Sequence, residues 1–335
     1  MIAELDNAVR LIRGGQRFLL TCHVMPDADA LGSMLGLAEV LRSLGKDVVL
    51  YNRDPVPPQL RFLPGSERVQ SILPAGGAGF DATFVTDTAA RTLLPRHFPD
   101  RSVTGPVVIV DHHVAHDDFG DVVLRDSGAC ATAIVVLELA AALGVKPMPP
   151  MAAAPLYTAL VADTGGFRYP GTTAQTLRTA ADLLDTGIDP WQVASHVFEG
   201  WSMSRMRLLG LAINAIQTEY AGRVAVVSLP LAVLEQAGAS DDMAEGLVEY
   251  GRMLKGVEIS IMLWERRPRS DETLDGTLFT RMSLRSAGQA DVSRVAVSMG
   301  GGGHRAAAGA TVRLDLQSAR DRVVQAAGRE LESLS

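Results

Sequence analysis

The sequence predicts an α/β protein of two domains, and three observations carry the prediction. Short apolar runs alternate with stretches of helical periodicity through the first half, the pattern of a parallel sheet with helices packed on its faces. The 335 residues exceed what one ordinary core holds, at roughly 100–200 residues per domain. A second, smaller set of strand and helix patterns resumes at residue 222.

Residues 17–22 read as the first strand. After a polar turn, Leu31, Met34, Leu35, Ala38 and Leu41 recur at helical spacing, and Gly45 stands where a glycine past the last turn would stop the helix. Residues 48–51 read as the second strand, residues 82–86 and 107–110 as further apolar strands, and residues 130–143 as a helix ending before Gly144. Pro147, Pro149 and Pro150 break the chain ahead of an alanine-rich helix at 152–162, and 173–185 fits another. The first domain is therefore expected at residues 1–186. Residues 187–221 read as a helical connector, with Asp189-Pro190-Trp191 as a helix start and a long helix at 203–218. The second domain, 222–335, is expected to hold strands at 224–229, 258–264 and 279–284, with helices near 241–250, 291–299 and 318–331.

Composition narrows the function. The formal net charge of −7 and 5% aromatic content lack the broad basic surface that tight, nonspecific binding of long nucleic acid needs. Short oligonucleotides or small phosphate-bearing ligands stay open. Two cysteines, Cys22 and Cys130, are too few for a disulfide framework or a thiolate metal cluster, and an acidic start is not a signal peptide. A reducing cytoplasm is the expected compartment. The longest nearly uncharged stretch, 129–145, contains Glu138 and falls short of the ~20 apolar residues of a membrane span. No membrane partner is expected, and homodimerisation stays open.

Four acidic or imidazole clusters fall after strands or at a helix end, where open α/β sheets place their ligand crevices. The first is His23-Val24-Met25-Pro26-Asp27-Ala28-Asp29, in which Asp27 and Asp29 share a side if the segment is extended. The others are Asp87, Asp111-His112-His113, and Asp163 in Asp163-Thr164-Gly165-Gly166-Phe167-Arg168-Tyr169. A lone strand-end Asp such as Asp87 is often only a cap or turn former. An Asp followed by two His after a buried strand has little packing logic, because satisfying three polar groups at one sheet end costs several kcal/mol unless a ligand helps. Jointly, His23, Asp27, Asp29, Asp87, His112 and Asp163 offer four carboxylates and two imidazoles with no thiolate, a set suited to two divalent ions such as Mn²⁺ or Mg²⁺. In the second domain, Gly300-Gly301-Gly302-Gly303-His304-Arg305 could bring backbone N–H groups close to a phosphate, with Arg285 ending the preceding strand.

The order and spacing of these motifs resemble the DHH phosphoesterase superfamily, in its nano-RNase and phosphoadenosine phosphatase branch, over nearly the whole chain. The resemblance implies a two-domain clamp with a dimetal site in the N-terminal domain and a DHH-associated C-terminal domain that closes over substrate. It implies that His23 and Asp27 hold one ion and Asp29, His112 and Asp163 the other, with Asp87 bridging and Mn²⁺ preferred. His113, with Asp111 beside it, is implied as the catalytic group at the scissile phosphate. Arg168, Arg285, Gly301, Gly302, Gly303 and His304 are implied on the substrate side. Two positions depart from the family pattern: His116 stands where relatives often have Asn, and Ile134 near where they often have Glu.

The expected activity is metal-dependent hydrolysis of very short oligoribonucleotides or linear dinucleotides to mononucleotides, with 3′-phosphoadenosine 5′-phosphate as a further substrate. One alternative is a RecJ-like single-strand exonuclease, disfavoured by the negative charge and by the lack of an added basic or OB-like segment. The other is a non-catalytic nucleotide-binding regulatory protein, disfavoured because none of the six ligands is missing.

Overall fold

The computed structural model describes residues 2–73, 79–94, 98–114, 117, 119–268, 278–303 and 305–334. The chain divides into two compact units, Met1–Gly200 and Trp201–Ser335.

In the first unit, α1 (Ile2–Gly14) leads into β1 (Arg17–Cys22), α2 (Ala28–Ser43) and β2 (Asp47–Tyr51). There follow β3 (Val69–Gln70), β4 (Ala82–Thr86), the single-turn α3 (Arg101–Thr104), β5 (Val107–Asp111) and β6 (Val122–Arg125). Helices α4 (Thr132–Ala142), α5 (Pro150–Asp163), α6 (Ala174–Leu184) and α7 (Pro190–Phe198) complete it. The six strands form one parallel sheet in the order β3-β2-β1-β4-β5-β6. That order reverses between β1 and β4, so the connections leaving these two strands diverge and open a crevice beyond their carboxyl ends.

Parallel strands are stable when both faces are covered, which is why β4 and β5 are apolar runs buried throughout. The two covers differ. On one face Phe18, Leu20, Phe84, Val108 and Val110 share a single core with side chains of α1, α2 and α4 to α7. On the other, among the described residues, Val85, Val107 and Ile109 pack with Leu94, Phe98, Phe119 and Val123. Among the described residues of the β4–β5 crossover, the helical segments are the turn at Arg91–Leu93 and the four-residue α3.

Within the large core, α2 and α5 touch backbone to backbone. A Cβ on Gly32 would collide with the Pro155 carbonyl and Ala159, and one on Gly36 with the Leu156 side chain. This close packing fixes the helix that carries Asp29 against the helix that ends in Asp163.

The second unit contains α8 (Met203–Asn214), β7 (Gln217–Glu219), β8 (Val224–Leu229), α9 (Leu231–Ala237), α10 (Val248–Arg252), β9 (Ile259–Arg266), β10 (Phe279–Ser286), α11 (Val292–Ser298), β11 (Gly302–Gly303), β12 (Ala307–Val312) and α12 (Leu316–Glu332). Its sheet runs β11-β12-β10-β9-β8-β7, parallel between β8 and β9 and antiparallel elsewhere. Alternation along the strands sorts the faces. Val224, Val226, Ile261, Met282 and Leu284 pack with α11 and α12, whereas Val227, Leu229, Met262 and Trp264 pack with α8, α9 and α10. The stretch read as a connector is divided: Val193 of α7 joins the first unit's core, and Leu208 and Ala212 of α8 join the second's.

Candidate metal centre

The switch-point crevice collects the acidic and imidazole side chains. His23 follows β1, and its Nδ1 lies 2.9 Å from the Val24 carbonyl, an acceptor only, so Nδ1 carries a proton and Nε2 is the nitrogen that could take an ion. That Nε2 is 3.6 Å from Asp87 Oδ2 and 3.9 Å from Asp27 Oδ1. The turn beyond His23 is braced from β2: buried Asn52 donates its amide to the His23 carbonyl at 2.9 Å, and Asp54 Oδ2 accepts Met25 N–H at 2.7 Å. Met25 itself takes φ 55°.

Asp27 and Asp29 converge by a different route from the extended segment expected. Asp27 is the N-cap of α2, its Oδ1 accepting Ala30 N–H at 3.0 Å, and Asp29 lies in the first helical turn. Both are favoured there because the first N–H groups of a helix lack partners and carry partial positive charge. Asp29, 1% exposed, is held from two helix ends at once: Ser33 Oγ of α2 donates to its Oδ1 at 2.8 Å, and Thr132 N–H of α4 donates to its Oδ2 at 2.7 Å.

Asp87 occupies the centre. It sits in the left-handed region at φ 52°, a conformation Asp tolerates better than most residues, and its N–H continues the sheet ladder to the Val110 carbonyl at 2.9 Å. Thr132 Oγ1 donates to Asp87 Oδ1 at 2.8 Å. His112 turns Nδ1 toward the Ala129 carbonyl at 3.2 Å and presents Nε2 to Asp163 Oδ2 at 3.3 Å and to Asp29 and Asp87 at 3.6 Å each. His113 Nδ1 is 2.7 Å from Asp111 Oδ1 and 3.6 Å from Asp87. Asp111, fully buried at the end of β5, therefore works on the His113 ring and belongs to none of the donor groups.

Among the described residues, three sets have donor atoms that lie within 4.8 Å of one another inside each set: His23, Asp27 and Asp87; Asp29, His112 and Asp163; and Asp87, His112 and His113. The electrostatics fit divalent cations. Burial, then the charges of Asp87 and Asp163, push the Asp29 carboxyl well above the usual range, and burial likewise raises Asp163 against the lowering pull of His112. Burial would raise Asp87 too, but the His23 hydrogen bond and the charges of His113 and His112 hold it low. Burial lowers the histidines, yet Asp87 and Asp27 bring His23 up to about 10, and Asp163, Asp29 and Asp87 bring His112 up to about 11. Carboxylates this crowded borrow protons from their neighbours to offset repulsion, and ions bound to oxygen and nitrogen would replace those protons.

Thr132, Asn52 and Asp54 are absent from the sequence-based site, although they orient it. In the Asp163 turn, Thr164 Oγ1 accepts Phe167 N–H at 2.9 Å, and Arg168 donates Nε to the Gly165 carbonyl at 2.6 Å, so that edge of the guanidinium locks its own loop. Ile134 packs against the first core, and His116 and His304 lie outside the described residues.

In the second unit, Arg285 on β10 lies across the ladder from Ala307 of β12, and Gly302 and Gly303 of β11 pair with Gly309 and Ala308. The glycines are not equivalent. A Cβ on Gly301 would strike the Gly309 carbonyl and Ala310, and one on Gly303 would lie 2.6 Å from the Ala307 carbonyl. Only Gly302 of these three faces open space. Close strand packing explains two glycines that the sequence suggested for phosphate approach.

The comparisons agree with this architecture. The N-terminal domain of the DHH family matches residues 17–160, and the DHHA1 domain matches residues 222–333. The chain belongs to the DHH family of phosphoesterases. Within it, the chain is 34% identical to the bifunctional oligoribonuclease and PAP phosphatase NrnA of Thermus thermophilus, over 99% of this chain and 94% of that one. The protein of the same description from Bacillus subtilis is 26% identical, covering 91% and 92%. The crystal structure of an exopolyphosphatase-related protein from Bacteroides fragilis superposes with a TM-score of 0.85 at 25% identity, covering 98% and 96%.

Proposed function

We propose that this protein is a metal-dependent phosphoesterase that hydrolyses short oligoribonucleotides and linear dinucleotides to mononucleotides, and that also removes the 3′ phosphate of 3′-phosphoadenosine 5′-phosphate. The observation that carries the reading is two donor groups linked through Asp87, which belongs to the group of His23 and Asp27 and lies 3.6 Å from His112 of the group with Asp29 and Asp163, in a chain that covers 94% and 92% of two relatives described as bifunctional oligoribonuclease and PAP phosphatase. His23 and Asp27 would hold one ion and Asp29, His112 and Asp163 the other, with Asp87 placed to contribute to both. Mn²⁺ is the preferred ion, from the mixture of carboxylate and imidazole donors. When bound, the ions supply Lewis-acid charge for the phosphoryl oxygens and acidify the attacking water.

The chain's own residues do the rest. Asp111 accepts a hydrogen bond from His113 Nδ1 and so leaves Nε2 for a phosphoryl oxygen; burial lowers the His113 pKa, but the Asp111 hydrogen bond and the Asp87 charge outweigh it and raise the pKa, which favours the cationic ring. A cation fixed before the reaction stabilises charge developing on phosphorus without reorganisation. Thr132 keeps Asp29 and Asp87 at a set separation. Substrate contacts are assigned separately in each unit: Arg168 in the first, and Arg285 with Gly301, Gly302 and Gly303 in the second.

The test is a panel of 5′-phosphorylated dinucleotides, 20-mers, 3′-phosphoadenosine 5′-phosphate and pyrophosphate, assayed with Mn²⁺, with Mg²⁺ and with excess chelator. Dinucleotides and 3′-phosphoadenosine 5′-phosphate should be hydrolysed in Mn²⁺ and not in chelator. Equal rates on 20-mers and dinucleotides would refute the size selection, and full activity in chelator would refute the metal dependence.

A further inference from the structure

We infer that Glu249 is a positioning residue, which sets the orientation of Arg285 for the substrate; this rests on the reading of Arg285 as substrate-binding. The carboxylate of Glu249 divides its two oxygens between two arginines. Oε1 accepts Arg285 Nε at 2.7 Å, while Oε2 accepts both Nε and Nη2 of Arg252, at 2.8 and 2.6 Å. Burial alone would raise the Glu249 pKa, but Arg285 and Arg252 outweigh it and hold it low, so the group stays ionised.

Arg285 is pinned on two sides. Besides Nε on Glu249, its Nη1 donates to the Leu284 carbonyl at 3.0 Å. Among the described residues Nη2 makes no hydrogen bond, so one nitrogen of an otherwise fixed fork is left for an anion. A free arginine must lose its rotamer freedom when it binds, whereas this one has lost it in advance. The neighbourhood leaves space: across the ladder stand Ser260 and Ala307, and the next strand positions on that face of β12 are Gly309 and Thr311. Four residues earlier on β10 the arrangement recurs, with Arg281 bonded to Glu245 and its guanidinium 5.5 Å from the Trp264 ring.

The inference makes a prediction opposite in sign to plain electrostatics. Glu249→Gln removes a negative charge beside a phosphate-binding arginine. If charge alone mattered, an anionic substrate would bind more tightly. If Glu249 positions Arg285, the glutamine NH₂ confronts one arginine donor with another, the fork is released, and binding weakens.

The experiment uses the full chain and a 5′-phosphorylated dinucleotide, and reads KM and kcat in Mn²⁺ as well as the dissociation constant in chelator. A small aryl phosphate ester serves as the control substrate, and the variants are Glu249→Gln, Arg285→Ala and the double variant. Glu249→Gln should raise KM and the dissociation constant roughly 3- to 10-fold, the cost of immobilising one long side chain anew. Its kcat and its aryl ester hydrolysis should stay at wild-type values, and it should add nothing in the Arg285→Ala background. Unchanged or tighter dinucleotide binding by Glu249→Gln overturns the inference, as does an equal further loss in the double variant. If Arg285→Ala itself binds normally, the reading of Arg285 falls and the inference with it. Dinucleotide binding that responds to Glu249→Gln in a wild-type protein without hydrolytic activity would instead sink the proposed function and leave this inference standing.

Discussion

Thr132→Val isolates one hydrogen bond at the centre of the site. Valine keeps the shape and the backbone N–H that Asp29 accepts at 2.7 Å, and removes only the hydroxyl that donates to Asp87 Oδ1 at 2.8 Å. Thr132 and Asp87 are both buried, at 0% and 3% exposure, so water does not readily replace the lost donor. A buried hydrogen bond to a charged group contributes about 1.5–3 kcal/mol, and the expected loss of stability in chelator lies in that range. For ion binding the consequence is larger in kind. Asp87 would keep its place at the end of β4 but lose the contact that fixes its carboxylate plane, and removing a group that orients a ligand costs about 10- to 100-fold in metal affinity. Calorimetric titration of the chelator-stripped protein with Mn²⁺ measures this, with thermal melts run alongside. Thr132→Ser should restore the affinity, since it returns the hydroxyl. Unchanged Mn²⁺ affinity in Thr132→Val, with or without a lower melting temperature, would refute the idea that Thr132 sets the geometry of the two carboxylates.

Other outcomes follow from the same geometry. His113→Ala should lower turnover while ion content measured by elemental analysis stays at the wild-type value; loss of one equivalent of ion would reverse the assignment of His112 and His113. In the ion-free protein His23 and His112 titrate at about 10 and about 11, so both are protonated at neutral pH and their stabilising ion pairs weaken only as pH rises through those values. Ions take the neutral ring and the ionised carboxylate, so binding at neutral pH should release at least about one proton per ion, and affinity should rise with pH. Calorimetry in buffers of different ionisation enthalpy reads the protons, and a buffer-independent heat would contradict the release. Gly32→Ala should cost about 1–3 kcal/mol by forcing α2 from α5, and an unchanged melting temperature would show that the helices yield.

Most of the first sheet was readable before any coordinates because each strand is a short apolar run closed by a polar residue, and those same closing residues are His23, Asp87 and Asp111. A parallel sheet puts strand ends on one edge, so the candidates collected themselves. Thr132 escaped because its partners are remote in sequence, 103 positions away for Asp29 and 45 for Asp87, and nothing local distinguishes it from an ordinary helix-start threonine. The spacing of Asp27 and Asp29 suggested an extended segment, but Asp27 caps α2, which starts at Ala28, ahead of the apolar pattern that begins at Leu31. Strand β12 was hidden by its Ala-Ala-Gly-Ala composition, which has low strand propensity, and is a strand because tight packing against β11 demands small side chains. Glu249 had no sequence signal of its own, since its second arginine comes from another element.

The donor set is drawn from four stretches of chain far apart in sequence: the β1–α2 turn, the end of β4, the segment after β5, and the end of α5. Ions held there would act as removable cross-links, one joining residue 23 to residue 87 and the other residue 29 to residue 163. Because the unfolded chain offers no such site, each ion at a hundredfold excess over its dissociation constant adds about 2.7 kcal/mol to the folded state. Free metal in the surroundings would then set how long the protein persists as well as how fast it works, and a metal-starved cell would remove it by proteolysis of the loosened first unit.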